Sequence, residues 1–141
     1  MHSFEGLRPI ITNHFYFDWL TKFPVKDVIA FQQRQDQDSD LNNTSQFINA
    51  TMNDVMSQKG LLWGISSKND NQFIGVAGIA NLNDETVTIY VNVISMDDNE
   101  ELEIIKRMLQ MKENYFADKP HRFMIKPLSD SLDKQINNLN A

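Results

Sequence analysis

The 141-residue chain contains no cysteine. Disulfides, thiolate nucleophiles, zinc–cysteine centres and iron–sulfur clusters are therefore excluded together, and the absence fits a reducing compartment. Histidine is scarce. His2, His14 and His121 do not recur at ligand spacing, and none falls in an HExxH pattern, so no metal site is expected. Positive charge is also short: thirteen Lys and Arg face nineteen Asp and Glu, a net charge of −6. That balance disfavours a nucleic-acid backbone as partner and an anionic membrane surface as well. No apolar run approaches the roughly 20 residues of a bilayer span. The opening residues lack the charged-then-apolar order of a signal peptide. A cytoplasmic protein is the expectation, with neither nucleic acid nor membrane as partner. The glycine-dependent fingerprints G-x-S-x-G, P-loop and Rossmann turn are missing too. Gly75 and Gly78 lie inside a strand pattern with no helix after them, and are read as points of close backbone approach.

What is present is ordinary globular chemistry, 41% hydrophobic and 23% charged, in a length that suits one domain over residues 1–141. Residues 1–12 read as a lead-in. His14–Leu20 alternates Phe15, Phe17 and Trp19 with Tyr16 and Asp18, the pattern of a half-buried strand. Pro24 stands at a helix start, and Val25, Val28, Ile29 and Phe31 continue at helical spacing. Gln35–Asn43 is polar and acidic and reads as a loop. Thr44 or Ser45 is expected to cap a second helix with Phe47, Ile48, Met52, Val55 and Met56 as its apolar stripe, ended by Gly60.

Three strands follow at Leu61–Ser66, Phe73–Ala80 and Thr86–Val93. The turns between them are short, so an antiparallel meander is expected. Glu100–Phe116 has the periodicity of the longest helix, with Asp98 or Asn99 as cap and Tyr115 read as a packed aromatic. Arg122–Pro127 is a strand returning after a helix, which places it parallel to the third meander strand. Ser129 or Asp130 caps a last helix carrying Leu132, Ile136 and Leu139.

This order resembles the GNAT N-acetyltransferases, and within them the branch related to ribosomal-protein N-acetyltransferases. The resemblance rests on Thr12–Leu20, Pro24–Asp27, Leu61-Leu-Trp63-Gly-Ile65, Asn71-Gln-Phe73-Ile-Gly75-Val-Ala-Gly78-Ile and Thr86-Val-Thr-Ile-Tyr90-Val-Asn-Val93. It implies an α/β fold: a mixed, mostly antiparallel twisted sheet with helices on both faces. Family domains usually continue into two further strands, so this chain is expected to be C-terminally shortened. The resemblance also implies a V-shaped gap beside the fourth family strand. Backbone groups around Tyr90–Ile94 would hold the pantetheine of acetyl-CoA there, with Val91, Asn92, Val93 and Ser95 as the cofactor-binding candidates. The pyrophosphate would rest on a glycine-bearing helix start.

Here that start reads Ile94-Ser-Met-Asp-Asp-Asn-Glu-Glu-Leu102, with no glycine and no basic residue. Charges of one sign about 5 Å apart interact by roughly 3 kcal/mol at an effective dielectric near 20. Asp97, Asp98, Glu100 and Glu101 should therefore oppose a pyrophosphate, while suiting the helix dipole themselves. The family's late tyrosine, which can protonate the departing thiolate, has no counterpart after Tyr115. The expectation is a GNAT-like protein with a degraded acetyl-CoA site, acting as a binding or dimerising module. A peptide or small amine would be its ligand, or a second copy pairing through the Arg122–Pro127 edge. The alternative is an active acetyl-CoA-dependent N-acetyltransferase acting on an amine or protein N-terminus, with Glu85 as general base.

Overall fold

The structure is a computed structural model that describes residues 9–34, 36–94 and 96–139. In chain order the elements are β1 (Ile10–Ile11), β2 (Phe15–Trp19), a short 3-10 turn (Leu20–Lys22), α1 (Val25–Gln33), α2 (Leu41–Met56), β3 (Leu61–Ser67), β4 (Phe73–Ala80), β5 (Val87–Val93), α3 (Asp98–Tyr115), β6 (His121–Lys126) and α4 (Asp130–Leu139). One six-stranded sheet runs in the order β1-β2-β3-β4-β5-β6. All neighbours are antiparallel except β5 and β6, which are parallel, as a strand returning through a crossover helix must be. The expected mixed α/β sheet is what forms. The two-residue β1, which the sequence presents as lead-in, adds an outer strand against β2.

Apolar side chains leave both faces of the sheet. On one, Phe17, Trp63, Ile65, Ala77, Ile79, Ile89 and Val91 join Ile104, Ile105 and Met108 of α3 and Leu132 and Ile136 of α4. On the other, Phe73 and Val76 meet Leu20, Val28 and Phe31 from around α1, and Ile48 from α2. Helix cover on both faces changes the reading of β2. Its alternation suggests a half-buried strand, yet Asp18 is buried, with its carboxylate accepting from the Trp19 amide at 2.8 Å and from the Tyr16 hydroxyl at 2.9 Å. Trp19 and Trp63 sit directly opposite across β2–β3 and stack with centroids 5.5 Å apart.

Gly75 and Gly78 fill the role expected of them. Gly75 has φ +151°, a region side-chain-bearing residues avoid, and a Cβ there would collide with the Asn92 carbonyl. A Cβ on Gly78 would overlap the Leu61 carbonyl. Beside Gly75 the β3–β4 register shifts: Ile65 pairs with Gly75, but Ser66 pairs with Phe73. The extra residue, Ile74, makes a bulge that reverses the in-out alternation. Phe73 and Val76 consequently share a face, while Ile74 and Ala77 share the other.

Helix boundaries differ from expectation where side chains decide them. α2 begins at Leu41, not near Thr44. Asp40 accepts from the Asn43 amide at 2.9 Å, and the Asn43 side chain accepts from the Asp40 amide at 2.8 Å. This reciprocal cap uses Asn where the usual sequence signature has Glu or Gln. Thr44 instead lies buried inside α2 and bonds Gln32 of α1 at 2.6 Å. Met56, which spacing assigns to the apolar stripe, is 79% exposed, while its neighbour Val55 is buried in the core. α3 starts two residues early, with Asp97 as its cap, and Tyr115 at its far end is exposed rather than packed.

Candidate functional site

The carboxyl ends of β5 and β6, the start of β4 and the first turn of α3 meet at one end of the sheet. Gly75 pairs with Val93, Asn92 pairs with Lys126, and the Ser129 hydroxyl donates to the Asp98 carboxylate at 3.3 Å. β5 and β6 stay paired from Val87↔His121 through Asn92↔Lys126, so any gap between them opens only beyond Asn92. Val91 and Val93 point to the α3 face and are buried. Asn92 lies on the opposite face, buried, and its side-chain amide donates to the Tyr90 hydroxyl at 3.0 Å. The Ile94 amide is already used, donating to the Ile74 carbonyl at 2.9 Å. Ser95 lies outside the described residues.

Glu85 is not brought to this place. It is exposed in the β4–β5 turn, before β5 begins. The six steps from Val87 to Val93 span about 20 Å of strand, so Glu85 and Val91–Val93 stand at opposite ends of β5. Sequence order places them on one strand; the direction of that strand separates them.

The first turn of α3 satisfies itself. The Asp97 carboxylate accepts from the Asn99 amide at 2.7 Å, and the Asp97 carbonyl accepts from the Glu101 amide at 3.0 Å. Asp98, Glu100 and Glu101 all fall in that turn. A diphosphate binds a helix start through free N–H groups and positive potential. Here one of those N–H groups already faces a carboxylate and the neighbouring side chains are anionic. Both features lower the positive potential that a helix start offers to an anion.

In the sequence Glu101 is one more acid of the cluster. In the fold its side chain turns inward. It is only 2% exposed, and its Oε2 has no hydrogen-bond partner among the described residues. Burial, and secondarily the nearby Asp98 charge, push its carboxyl up from 4.5 to about 7. The signal is legible in the chain: Glu101 precedes Ile104, Ile105 and Met108 at i+3, i+4 and i+7, the spacing of the sheet-facing stripe.

Two further features flank this end. Glu103 holds β2's lead-in: its carboxylate accepts from the Thr12 hydroxyl at 2.5 Å and the His14 amide at 3.0 Å, and meets His14 Nδ1 at 2.6 Å. Across the sheet, a cavity of about 400 Å³ lies between α1 and the ends of β4 and β5. Phe31, Phe73 and Ile94 form its apolar wall, and Asp27, Arg34, Asn71 and Gln72 are its polar residues. Sequence reasoning misses this cavity, because its walls come from three separated segments. Among the described residues no cluster of three or more acidic, histidine or cysteine side chains could hold a metal. No helix there is long and apolar enough to cross a membrane.

No protein-family model and no curated protein matches the sequence. Solved structures do match its shape. A Bordetella pertussis protein assigned to the GNAT acetyltransferases superposes with a TM-score of 0.73 at 9% identity, over 94% of this chain and 86% of that one. A Vibrio cholerae protein assigned as a ribosomal-protein-serine acetyltransferase gives 0.59 at 13% identity, over 94% and 80%. The microcin C7 self-immunity acetyltransferase MccE, solved with acetyl-CoA and AMP, gives 0.59 at 17% identity, over 91% and 77%. At these identities the likeness is one of fold, and the fold is that of the GNAT acetyltransferases.

Proposed function

We propose that this chain is a GNAT-fold binding protein whose acetyl-CoA site is degraded. The observation that carries this reading is the self-capped, acidic first turn of α3, where Asp97 takes the Asn99 amide and Asp98 and Glu100 add negative charge. The resemblance to the GNAT transferases implies that helix end as the seat of the cofactor's phosphates. Here the chain's own carboxylates occupy the role, stabilising the helix dipole by about 0.3–1 kcal/mol each. We place the protein beside the ribosomal-protein acetyltransferase-like branch, on the Trp63-to-Gly78 pattern, and in the cytoplasm, on its cysteine-free composition.

The alternative is an acetyl-CoA-dependent N-acetyltransferase for an amine or protein N-terminus. The shared fold favours it, as does the neighbour solved with acetyl-CoA. Under that alternative the backbone of Val91, Asn92, Val93 and Ser95 would contact the cofactor. A base other than Glu85 would be required, given its distance along β5.

Calorimetric titration with acetyl-CoA to millimolar concentration at low salt separates the two. The unmodified protein is expected not to bind. Asp97→Gly with Asp98→Gly and Glu100→Arg is expected to gain affinity, and the gain should shrink with added salt. Micromolar binding by the unmodified protein overturns the degraded-site reading.

A further inference from the structure

The cavity beside α1 has a charge pattern that its structural role leaves unexplained. Asp27 and Arg34 both line it. They stand seven residues apart, two turns of helix, and so share one face of α1. The helix dipole accounts for an acid at the start and a base at the end, but not for both facing the same hollow. Neither side chain has a hydrogen-bond or ion-pair partner among the described residues. They cannot satisfy each other either, because seven helical residues separate them by about 10 Å along the axis.

Between the two charges the wall is apolar. Phe31 and Phe73 are buried and meet edge to face, with centroids 5.8 Å apart, and Ile94 is half-buried beside them. Asn71 holds φ +59° at the tip of the β3–β4 turn, a left-handed conformation that Asn tolerates, and it also lines the cavity. Its side-chain amide can both donate to and accept from a peptide unit. The volume, about 400 Å³, lies within the range of small-molecule sites, roughly 300–1,000 Å³.

We propose that this cavity binds a short apolar peptide with both termini free, about three residues long, its ammonium on Asp27 and its carboxylate on Arg34. Three extended residues span about 10 Å, which matches the spacing of the two charges. Arg34 can grip a carboxylate through two parallel N–H groups, the phenylalanine wall covers the apolar side chains, and Asn71 meets the backbone between. A longer peptide would have to leave one charge unmatched, and a single amino acid would reach only one. This assignment rests on the binding role proposed above for the same end of the sheet. The bound ammonium is a held charge, not a reacting nucleophile.

The test is calorimetry of the full chain with Ala-Phe-Ala, with its N-acetylated form and with its C-terminal amide. The free tripeptide is expected to bind, and each blocked terminus to weaken binding about tenfold. Arg34→Gln should lose the preference for a free carboxylate while keeping the preference for a free amine, and Asp27→Asn should do the reverse. Neither residue is buried, so both variants are expected to fold, with circular dichroism as the check. Absence of binding to millimolar tripeptide, equal binding of all three forms, or unchanged preferences in the variants overturns the assignment. The same tripeptide incubated with acetyl-CoA and followed by mass spectrometry tests the other reading independently. An acetylated product would overturn the degraded-site reading, and the terminus preferences would still decide the ligand.

Discussion

At the scale of single residues, burial sets the chemistry of Glu101. Burial, and secondarily the Asp98 charge, push its carboxyl up from 4.5 to about 7. Below about pH 4.5 both folded and unfolded chains hold the proton. As pH rises, the unfolded chain ionises first, so stability falls until the folded carboxyl also ionises near 7. Each tenfold change in an ionisation constant is worth about 1.4 kcal/mol, and with a discount for solvent screening of a partly desolvated carboxyl the loss is about 2 kcal/mol. Glu101→Gln, neutral at every pH, is expected to match the parent near pH 4 and exceed its stability by about 2 kcal/mol at about pH 8. Urea unfolding at the two values checks this, and an equal effect at both would contradict it.

The His14–Glu103 pair adds a second dependence. The Glu103 hydrogen bond and charge raise His14 above 6.5, so its contribution is complete below 6.5 and fades as pH rises through the raised value. Burial pushes Glu103 up, but its bonds from His14 and Thr12 outweigh this and leave it below 4.5, so its contribution fades as acid approaches the lowered value. The clasp is strongest between 4.5 and 6.5. His14→Ala should therefore lower stability most within that window and least at either extreme, which urea unfolding across the pH range checks.

At the scale of elements, β4 sets the geometry of the site. Its bulge at Ile74 turns Phe73 toward α1, where that ring becomes a wall of the cavity. Its glycines let β3 and β5 approach closely. Gly78→Ala is expected to destabilise the protein by about 2 kcal/mol or more, because the added methyl meets the Leu61 backbone carbonyl in mid-sheet. Gly60→Ala is the control. Its Cβ would find only ordinary contacts, the nearest the Ile79 carbonyl at 3.7 Å. Comparable losses in the two variants would mean that the close approach at Gly78 does not govern β4. The first turn of α3 is the second decisive element, since the acids that stabilise the helix are the groups a phosphate would have to displace.

At the scale of the whole molecule, β6 is one edge of the sheet among the described residues and the two-residue β1 is the other. The outward face of β6 carries Arg122, Met124 and Lys126, all exposed. The proposed homodimer would form here by antiparallel pairing. Pairing centred on Met124 sets Arg122 of one copy against Lys126 of the other, and like charges directly opposite weaken a strand pair by roughly 0.2–1 kcal/mol. Self-association should therefore strengthen as salt screens these charges. Sedimentation at micromolar concentration, at low and high salt, checks this. A monomer under both conditions counts against the dimer, and association that weakens with salt counts against this edge as the interface.

The sequence by itself determined the kinds of element, their order, the antiparallel meander, the parallel return strand and the acidic character of the α3 start. Each of these rests on local periodicity, turn chemistry or composition, which a short window of residues contains. It also held the clue to Glu101 in the spacing to Ile104 and Ile105, although the surrounding charges point the reading outward. Only the tertiary structure decided that Asp18 lies under helical cover, that Glu85 stands a strand's length from Val93, and that Asp27, Phe31, Arg34, Phe73 and Ile94 enclose one cavity. Those facts depend on strand direction, on a one-residue bulge and on which helix covers which face. All three are fixed by packing between segments far apart in the chain.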